Sequence, residues 1–157
     1  MENFITHTFT VMVDETLSLD EAVKVGGFRS SKLSAGKKDS DRWIFPKLEN
    51  AQKSEKEVVI FHFNKVITTW EIRAEMNKVG YKPAKLWDII GLPIEWPVQP
   101  SDWTPALVAL GSWVIYDSEA WAFAVYYMGT DGGLHLGVEY RDYYSFNAST
   151  RFVAVRK

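Results

Sequence analysis

Apolar and polar residues alternate along the first part of the chain. The odd-numbered positions from Ile5 to Val13 hold apolar side chains or His7, and threonines occupy positions 6, 8 and 10 between them. A period of two is typical of a β-strand that buries one face. The later run Val58–Phe63 is apolar and rich in β-branched and aromatic residues, which predicts a buried strand.

Two short sequences predict where helices begin. Ser18–Glu21 and Thr68–Glu71 have the capping-box spacing, in which a hydroxyl side chain and an acidic side chain three residues later bind each other's backbone N–H groups. The glycines Gly26–Gly27 and Gly80 are expected to end these two helices. The second helix is predicted to have one apolar face. Its members are Ile72, Met76 and Val79.

A third helix is predicted near Pro83, because proline suits the first helical turn. It carries apolar residues within Leu86–Ile90 and is expected to end at Gly91–Pro93, from where a long connection runs to residue 105. The polar, charged stretches Ser30–Arg42 and Lys47–Glu57 predict exposed loops.

Beyond residue 105 the pattern changes to short strands. Five are predicted, at 106–110, 113–116, 120–128, 134–140 and 152–155, and Thr130–Gly133 has the composition of a hairpin turn. We therefore expect a single α+β domain, residues 1–157, with two to three short helices packed on small antiparallel β-sheets. Residues 1–112 are expected to form a scaffold and residues 113–157 a C-terminal β region.

Composition narrows the functional classes. The chain of 157 residues has no cysteine, which excludes thiol catalysis, disulfides and thiolate metal sites. Its net charge is −2, but residues 86–150 carry eight acidic residues against the single base Arg141. Because such a region repels phosphate, nucleic-acid binding is not expected there. The first residues lack the features of a signal peptide, and no apolar run approaches the ~20 residues of a membrane helix, so membrane insertion is not expected.

Candidates for catalysis are few. His7, His62 and His135 are far apart and form no metal-binding pair, so neither a metal nor another cofactor is expected. The chain has no nucleophile elbow and no glycine-rich phosphate loop. An enzyme is kept as an alternative, and it would require His62 or His135 to meet the acidic residues Asp117 and Glu119 in a cleft.

Tyrosines are concentrated towards the C-terminus. Six of the seven follow residue 115, and the segment Asp142–Thr150 mixes tyrosine with small polar residues without a strand or helix period. Tyrosine offers a large contact area with few rotatable bonds, and small polar residues add adaptable hydrogen bonds, as in antibody loops. The pattern favours a binding surface over a tyrosine-rich core. The candidate contact residues, none with a covalent role, are Tyr126, Tyr127, His135, Gly137, Tyr140, Asp142, Tyr143, Tyr144, Ser145, Asn147 and Ser149.

Other residues of this region are predicted to belong to the scaffold. In the strand 134–140, strand alternation places the apolar residues Leu134, Leu136 and Val138 on one face and His135 and Gly137 on the other. Two further aromatic residues of the region are predicted to be core anchors. They are Phe146 and Phe152.

Three segments carry a resemblance to a known family. They are Gly80–Ile90, Ala109–Trp113 and the ending Arg151–Lys157. Together they resemble the C-terminal region of variable proteins of diversity-generating retroelements, in particular those of uncultivated archaea and small-genome bacteria, over roughly residues 58–157. The resemblance implies a C-type-lectin-like fold whose display surface is rewritten by reverse transcription, with mutation at template adenines and mostly in AAC codons.

The implied mutation mechanism restricts which residues can occur at varied positions. An AAC codon randomised at both adenines cannot encode Trp, Met, Lys, Gln or Glu. Residues 129–150 contain none of the first four and a single glutamate, Glu139, which is therefore assigned to the fixed scaffold. The chain lacks the ligand motifs of a lectin-type calcium site, so calcium-dependent sugar binding is not implied.

The expected partner of such a display protein is a protein or glycan ligand on another cell or virus. The alternative is a non-diversified structural protein, such as a virion assembly component, in which the tyrosines would be buried in a core or a subunit interface. The sequence leaves open the oligomeric state and the cellular location, whether a cell surface or a virion.

Overall fold

A computed structural model describes residues 4–31, 33–35, 43–45, 50–95, 107–115, 121–128, 134–141 and 145–157. In these ranges the chain forms three helices and twelve strands. The helices are α1 (Leu19–Val25), α2 (Thr69–Lys78) and α3 (Leu86–Glu95). The strands are β1 (Ile5–Asp14), β2 (Phe28–Ser31), β3 (Leu33–Ala35), β4 (Trp43–Phe45), β5 (Lys53–His62), β6 (Ile67–Thr68), β7 (Tyr81–Pro83), β8 (Leu107–Ile115), β9 (Trp121–Met128), β10 (Leu134–Arg141), β11 (Ser145–Phe146) and β12 (Arg151–Arg156).

One eight-stranded sheet organises the fold, in the order β1-β5-β12-β8-β9-β10-β2, with β7 paired to β12 beside β8. Most neighbours are antiparallel, but β12 runs parallel to β8 and β10 runs parallel to β2. Two small two-stranded ladders, β11-β6 and β3-β4, lie outside this sheet. The expected α+β class with short helices and antiparallel pairing is therefore confirmed.

The three central strands are buried on both faces. Alternate residues of β5, β12 and β8 belong to two separate core clusters. One cluster includes residues of α1 and α3, and the other includes residues of α2, β6 and β11. The sheet is thus covered by α1 and α3 on one side and by α2 with the β6-β11 ladder on the other, which explains the continuous apolar run of β5.

The first strand and both capping boxes match their predictions. In β1, exposure alternates as predicted, with Val11 and Val13 fully buried. Ser18 caps α1 and Thr68 caps α2, each through a reciprocal pair of hydrogen bonds with the glutamate three residues later. These features depend on neighbours within about four residues, which is why the local sequence predicts them.

Two predictions were wrong, one about a charged segment and one about the end of the second helix. Lys53–Glu57 is not a loop, because it forms the first half of β5 and pairs with Thr10–Asp14 of β1. The charged composition did not indicate a strand, because this strand is stabilised by pairing with residues that are distant in the sequence. Likewise, Ile72 and Met76 are fully buried, but Val79 is 39% exposed, since α2 ends before it and Val79 is the C-cap.

The third helix also differs from its prediction at both ends. Pro83 does not begin it, because Pro83 is the last residue of β7 and pairs with Ala154 of β12. The helix continues through Gly91 and Pro93 to Glu95. Gly91 allows close packing on β1, since an added Cβ would lie 3.0 Å from Cγ1 of Val11.

The C-terminal β region is not a separate layer. The two strands predicted at 106–110 and 113–116 are one strand, β8, with an irregular register between Ala109 and Trp113. At this irregularity Gly111 donates its N–H to the Ala84 carbonyl oxygen at 2.8 Å. The last strand, β12, lies between β5 and β8 in the centre of the sheet. Within the described residues, no helix is both long and apolar enough to cross a membrane.

Candidate functional site

One described part of the predicted contact surface is β11, which is anchored in the core. Ser145 pairs with Thr68 and Phe146 pairs with Ile67. Phe146 is 1% exposed and makes an edge-to-face contact with the fully buried Phe152, with ring centroids 5.0 Å apart. Both phenylalanines are therefore core anchors, as predicted, whereas Ser145, directly before Phe146, is half-buried.

A compact turn connects β11 to β12, and the side chain of Asn147 organises it. Its Oδ1 accepts hydrogen bonds from the Ser149 N–H at 3.1 Å, the Ser149 hydroxyl at 2.8 Å and the Thr150 hydroxyl at 2.9 Å. The backbone carbonyl of Asn147 accepts a further bond from the Thr150 N–H at 3.2 Å. Asn147 and Ser149 are exposed and Thr150 is buried. This pattern of side-chain to backbone bonds is an Asx turn, so Asn147 has a structural role besides any contact role.

His62 ties the same turn to the central sheet. Its Nε2–H donates to the carbonyl oxygen of Ala148 at 3.0 Å. His62 is the last residue of β5 and the register partner of Arg151 in β12. The turn is thus held at both its ends and its middle, and its exposed side chains stand on a fixed backbone.

The pairing of β9 with β10 places several of the predicted contact residues next to one another. Leu136 is buried in the cluster that includes α1 and α3, whereas its neighbour His135 is half-buried. By strand alternation the side chain of His135 belongs to the α2 side. The register partner of His135 is Tyr127, and that of Leu136 is Tyr126.

Tyr126 and Tyr127 lie in β9, and Tyr140 lies in β10 opposite Ala122. The remaining predicted contact residues, Asp142, Tyr143 and Tyr144, lie outside the described residues, as does the predicted hairpin turn Thr130–Gly133. On the α2 side, the described contact residues with accessible side chains are His135, Ser145, Asn147 and Ser149.

The histidines proposed for an enzyme do not meet. His62 is in β5 and His135 is in β10, and β12, β8 and β9 lie between these strands. Four strand spacings correspond to a lateral separation of about 19 Å. Asp117 and Glu119 lie outside the described residues. Among the residues that the structure describes, no three His, Asp or Glu side chains are grouped closely enough to hold a metal ion.

Two charged clusters stabilise the scaffold away from this surface. In the first, Lys56 Nζ lies 2.8 Å from Oδ1 of Asp88 and 3.6 Å from Oε2 of Glu15. Burial lowers the pKa of Lys56, but the hydrogen bond to Asp88 and the charges of Asp88 and Glu15 outweigh it, so the pKa is raised overall. Oδ2 of Asp88 also accepts the Lys85 N–H at 2.8 Å, which caps α3.

The second cluster joins β5, β7 and β12. The Tyr81 hydroxyl donates to Oε2 of Glu57, and Arg156 Nη1 lies 3.3 Å from the same oxygen. The hydrogen bond from Tyr81, followed by the charge of Arg156, lowers the pKa of Glu57. The same hydrogen bond raises the pKa of Tyr81.

A groove between α2 and β7 is the second accessible feature on the α2 side, and the sequence analysis missed it. Its volume is about 380 Å³. The lining residues are Trp70, Arg73, Ala74, Asn77, Tyr81, Lys82, Pro83 and Lys157. The first four have the spacing i, i+3, i+4, i+7 of a single helix face, opposite the buried face of Ile72 and Met76. In the sequence, the available signal was Trp70, a large aromatic residue on the helix face opposite Ile72 and Met76.

Comparisons with known proteins gave no match: no family model, no curated protein and no solved structure is similar to this chain. The class that the structure defines is a mixed α+β domain built on one central sheet.

Proposed function

We propose that this protein is a ligand-binding display protein with a C-type-lectin-like fold, and that a diversity-generating retroelement rewrites its C-terminal surface. Its ligand is a protein or glycan on another cell or virus. The chemistry of recognition is non-covalent contact by tyrosine and small polar side chains, which suits partners of varied shape.

One observation carries the proposal: accessible residues alternate with deeply buried anchors along one short segment. Phe146 and Phe152 are buried, Thr150 is 1% exposed, and the exposed Asn147 and Ser149 stand between them. Loops that carry binding residues on a rigid frame are the usual way in which a fold separates recognition from stability. An accessible side chain that does not itself hold the turn can then change without loss of the fold.

The hydrogen bonds of the turn indicate which positions should be fixed and which should vary. Asn147 accepts three hydrogen bonds through Oδ1, so its replacement would disturb the turn itself. We therefore expect Asn147 to be fixed together with Phe146 and Thr150. Tyr143 and Tyr144, by contrast, are expected to vary.

The decisive experiment is sequencing of the DNA that flanks the coding region. We expect a reverse transcriptase and a near-copy of the C-terminal codons, with differences concentrated at adenines in the codons for Tyr127, His135, Tyr143 and Tyr144. Codons for Phe146 and Phe152 should be identical in both copies. A flanking region without either element, or a near-copy with differences spread over all bases, would contradict the proposal.

A binding experiment tests the same proposal without genomic data. A yeast-display library randomised at Tyr127, His135, Tyr143 and Tyr144 should yield specific binders to a purified target such as lysozyme. A matched library randomised at four exposed positions of β1 and α1, namely Thr8, Thr10, Met12 and Lys24, should yield none. Equal success of the two libraries would mean that the C-terminal surface has no special capacity for recognition.

A further inference from the structure

The groove between α2 and β7 combines an exposed aromatic surface with positive charge. Trp70 is 83% exposed although it lies in a regular helix, which makes it the most exposed large apolar side chain in the described part of the chain. Pro83 and Tyr81 supply apolar surface from β7. A large tryptophan surface left in water is typical of an interaction site, since burial of tryptophan contributes strongly to binding.

The charges that line the groove are all positive. Arg73 and Lys82 are exposed, and none of the eight lining residues is acidic. Among the described residues the hydrogen-bond partner of Arg73 is the Leu110 carbonyl oxygen, at 3.0 Å from Nη2, and not a carboxylate. A guanidinium has five N–H donors, so Arg73 retains donors for a ligand.

The acidic residues of α2 are engaged on another face. Glu71 closes the capping box with Thr68, and Glu75 pairs with Lys78 at 2.8 Å. Glu57, the acidic residue next to Tyr81 of the groove lining, is also paired. It binds the Tyr81 hydroxyl and Arg156. The positive charge of Arg73 and Lys82 is therefore not neutralised by these neighbours.

We propose that the α2–β7 groove binds an acidic peptide segment of a partner protein, with its carboxylates on Arg73 and Lys82 and an apolar side chain on Trp70. The volume of about 380 Å³ fits a few residues of such a segment. This site is separate from the C-terminal contact residues and does not depend on the function proposed for them. It would give the protein one constant partner besides any varied ligand.

A peptide fits this groove better than a nucleic acid. Single-stranded nucleic acids also use aromatic and basic side chains, but they require a positively charged track along several phosphates. Here three cationic side chains line the groove, those of Arg73, Lys82 and Lys157. The whole chain nevertheless has a net charge of −2 with a strongly acidic stretch at residues 86–150. Long-range repulsion therefore disfavours a polyanion but not a short carboxylate segment.

The test is an NMR titration of the ¹⁵N-labelled protein with a synthetic hexapeptide of alternating glutamate and phenylalanine at low ionic strength. We expect saturable shifts confined to the backbone amides of 70–77 and 81–82. Trp70→Ala and Lys82→Glu should each weaken binding by about tenfold or more, as loss of an anchor residue or reversal of a contact charge does. Arg73→Glu should have a similar effect.

Matched controls distinguish this site from general electrostatics. Lys24→Glu changes the same charge on α1, on the opposite side of the sheet, and should leave binding unchanged. A glutamine–phenylalanine hexapeptide should bind more weakly than the glutamate peptide. The amide spectrum of each variant reports its folding, and Lys82→Glu keeps the test valid if Arg73→Glu unfolds.

Several results would overturn the proposal. They are an absence of shifts at millimolar peptide, shifts centred elsewhere, an equal loss of binding in Lys24→Glu, or tighter binding of a ten-residue oligothymidylate in the same groove. The last result would assign the groove to single-stranded nucleic acid instead.

Discussion

In the cluster of Lys56, Glu15 and Asp88, the buried carboxylate of Asp88 depends on the charge of Lys56. The Asp88 side chain is 1% exposed, whereas Lys56 is 24% exposed. A carboxylate in that position requires compensation for lost hydration, and it receives it from Lys56 and from the Lys85 N–H. The pair joins β5 to the first turn of α3.

Replacement of Lys56 by methionine should therefore destabilise the fold. We expect a loss of about 2 kcal/mol in the free energy of unfolding, less than the about 3–5 kcal/mol of a fully buried pair because Lys56 is partly solvated. Urea denaturation measures this loss. Glu15→Gln is the matched control, and it should change stability by less than about 0.5 kcal/mol, since the Lys56–Glu15 contact is longer and more exposed. Equal effects of the two substitutions would refute the special role of Asp88.

The cluster of Glu57, Tyr81 and Arg156 gives a pH-dependent contribution. Because the pKa of Glu57 is lowered in the fold, its contribution to stability is complete above the ordinary value of 4.5 and is lost as the pH falls through the folded pKa. Tyr81 acts in the opposite direction: its pKa is raised above 10.0, so its contribution is lost only in strong alkali.

We expect Glu57→Gln to lower the urea midpoint at pH 7 and to have a decreasing effect as the pH is reduced below 4.5. The glutamine cannot ionise, so the difference between the two proteins isolates Glu57 from all other carboxylates. Parallel urea titrations between pH 3 and pH 8 provide the measurement. A difference that stays constant over this range would show that the charge of Glu57 is not involved.

At the scale of elements, local signals were sufficient for some features and not for others. Capping boxes and the alternation of β1 depend on near neighbours in sequence, and both were predicted. The polar half of β5 and the short strand β7 form because a distant strand pairs with them, so composition misassigned Lys53–Glu57 and Pro83. In the contact surface, Phe146 and Phe152 were recognised as anchors from their type, but the turn built by Asn147 was not.

The turn between β11 and β12 should depend on the acceptor at Asn147. Asn147→Ala removes three hydrogen bonds and is expected to destabilise the protein by about 1–2 kcal/mol, because the buried Thr150 hydroxyl loses its partner. Asn147→Asp retains the acceptor and should be close to wild type. Thermal melts of both variants test this, and a destabilising aspartate with a neutral alanine would contradict the proposed turn.

At the scale of the whole molecule, the order of the strands in the sheet could not be predicted from the sequence. The strand β12 comes last in the chain yet lies between β5 and β8, and its parallel pairing with β8 leaves no local signal. The consequence for function is direct. The last strand follows the proposed contact residues directly and lies in the centre of the core, so buried anchors and exposed side chains are only a few residues apart.

That division can be measured as a contrast between two variants. If the proposed display function holds, simultaneous replacement of Tyr127, His135, Tyr143 and Tyr144 by serine should shift the melting temperature by only a few degrees, since changes to surface residues are usually within about 0.5 kcal/mol each. Phe146→Ala should cost about 3–5 kcal/mol through the cavity that it leaves beside Phe152. For a domain of this size that corresponds to a fall of roughly 10 °C.

Calorimetry of the two variants decides between the display protein and its structural alternative. If the tyrosines were part of a core or of a subunit interface, the four-serine variant would lose at least as much stability as Phe146→Ala, or its association state would change in the ultracentrifuge. If they form a display surface, the variant keeps its fold and its association state and loses only the capacity to bind. Stability that is independent of the contact residues is the physical requirement for a surface that can be rewritten, because each new sequence must still fold.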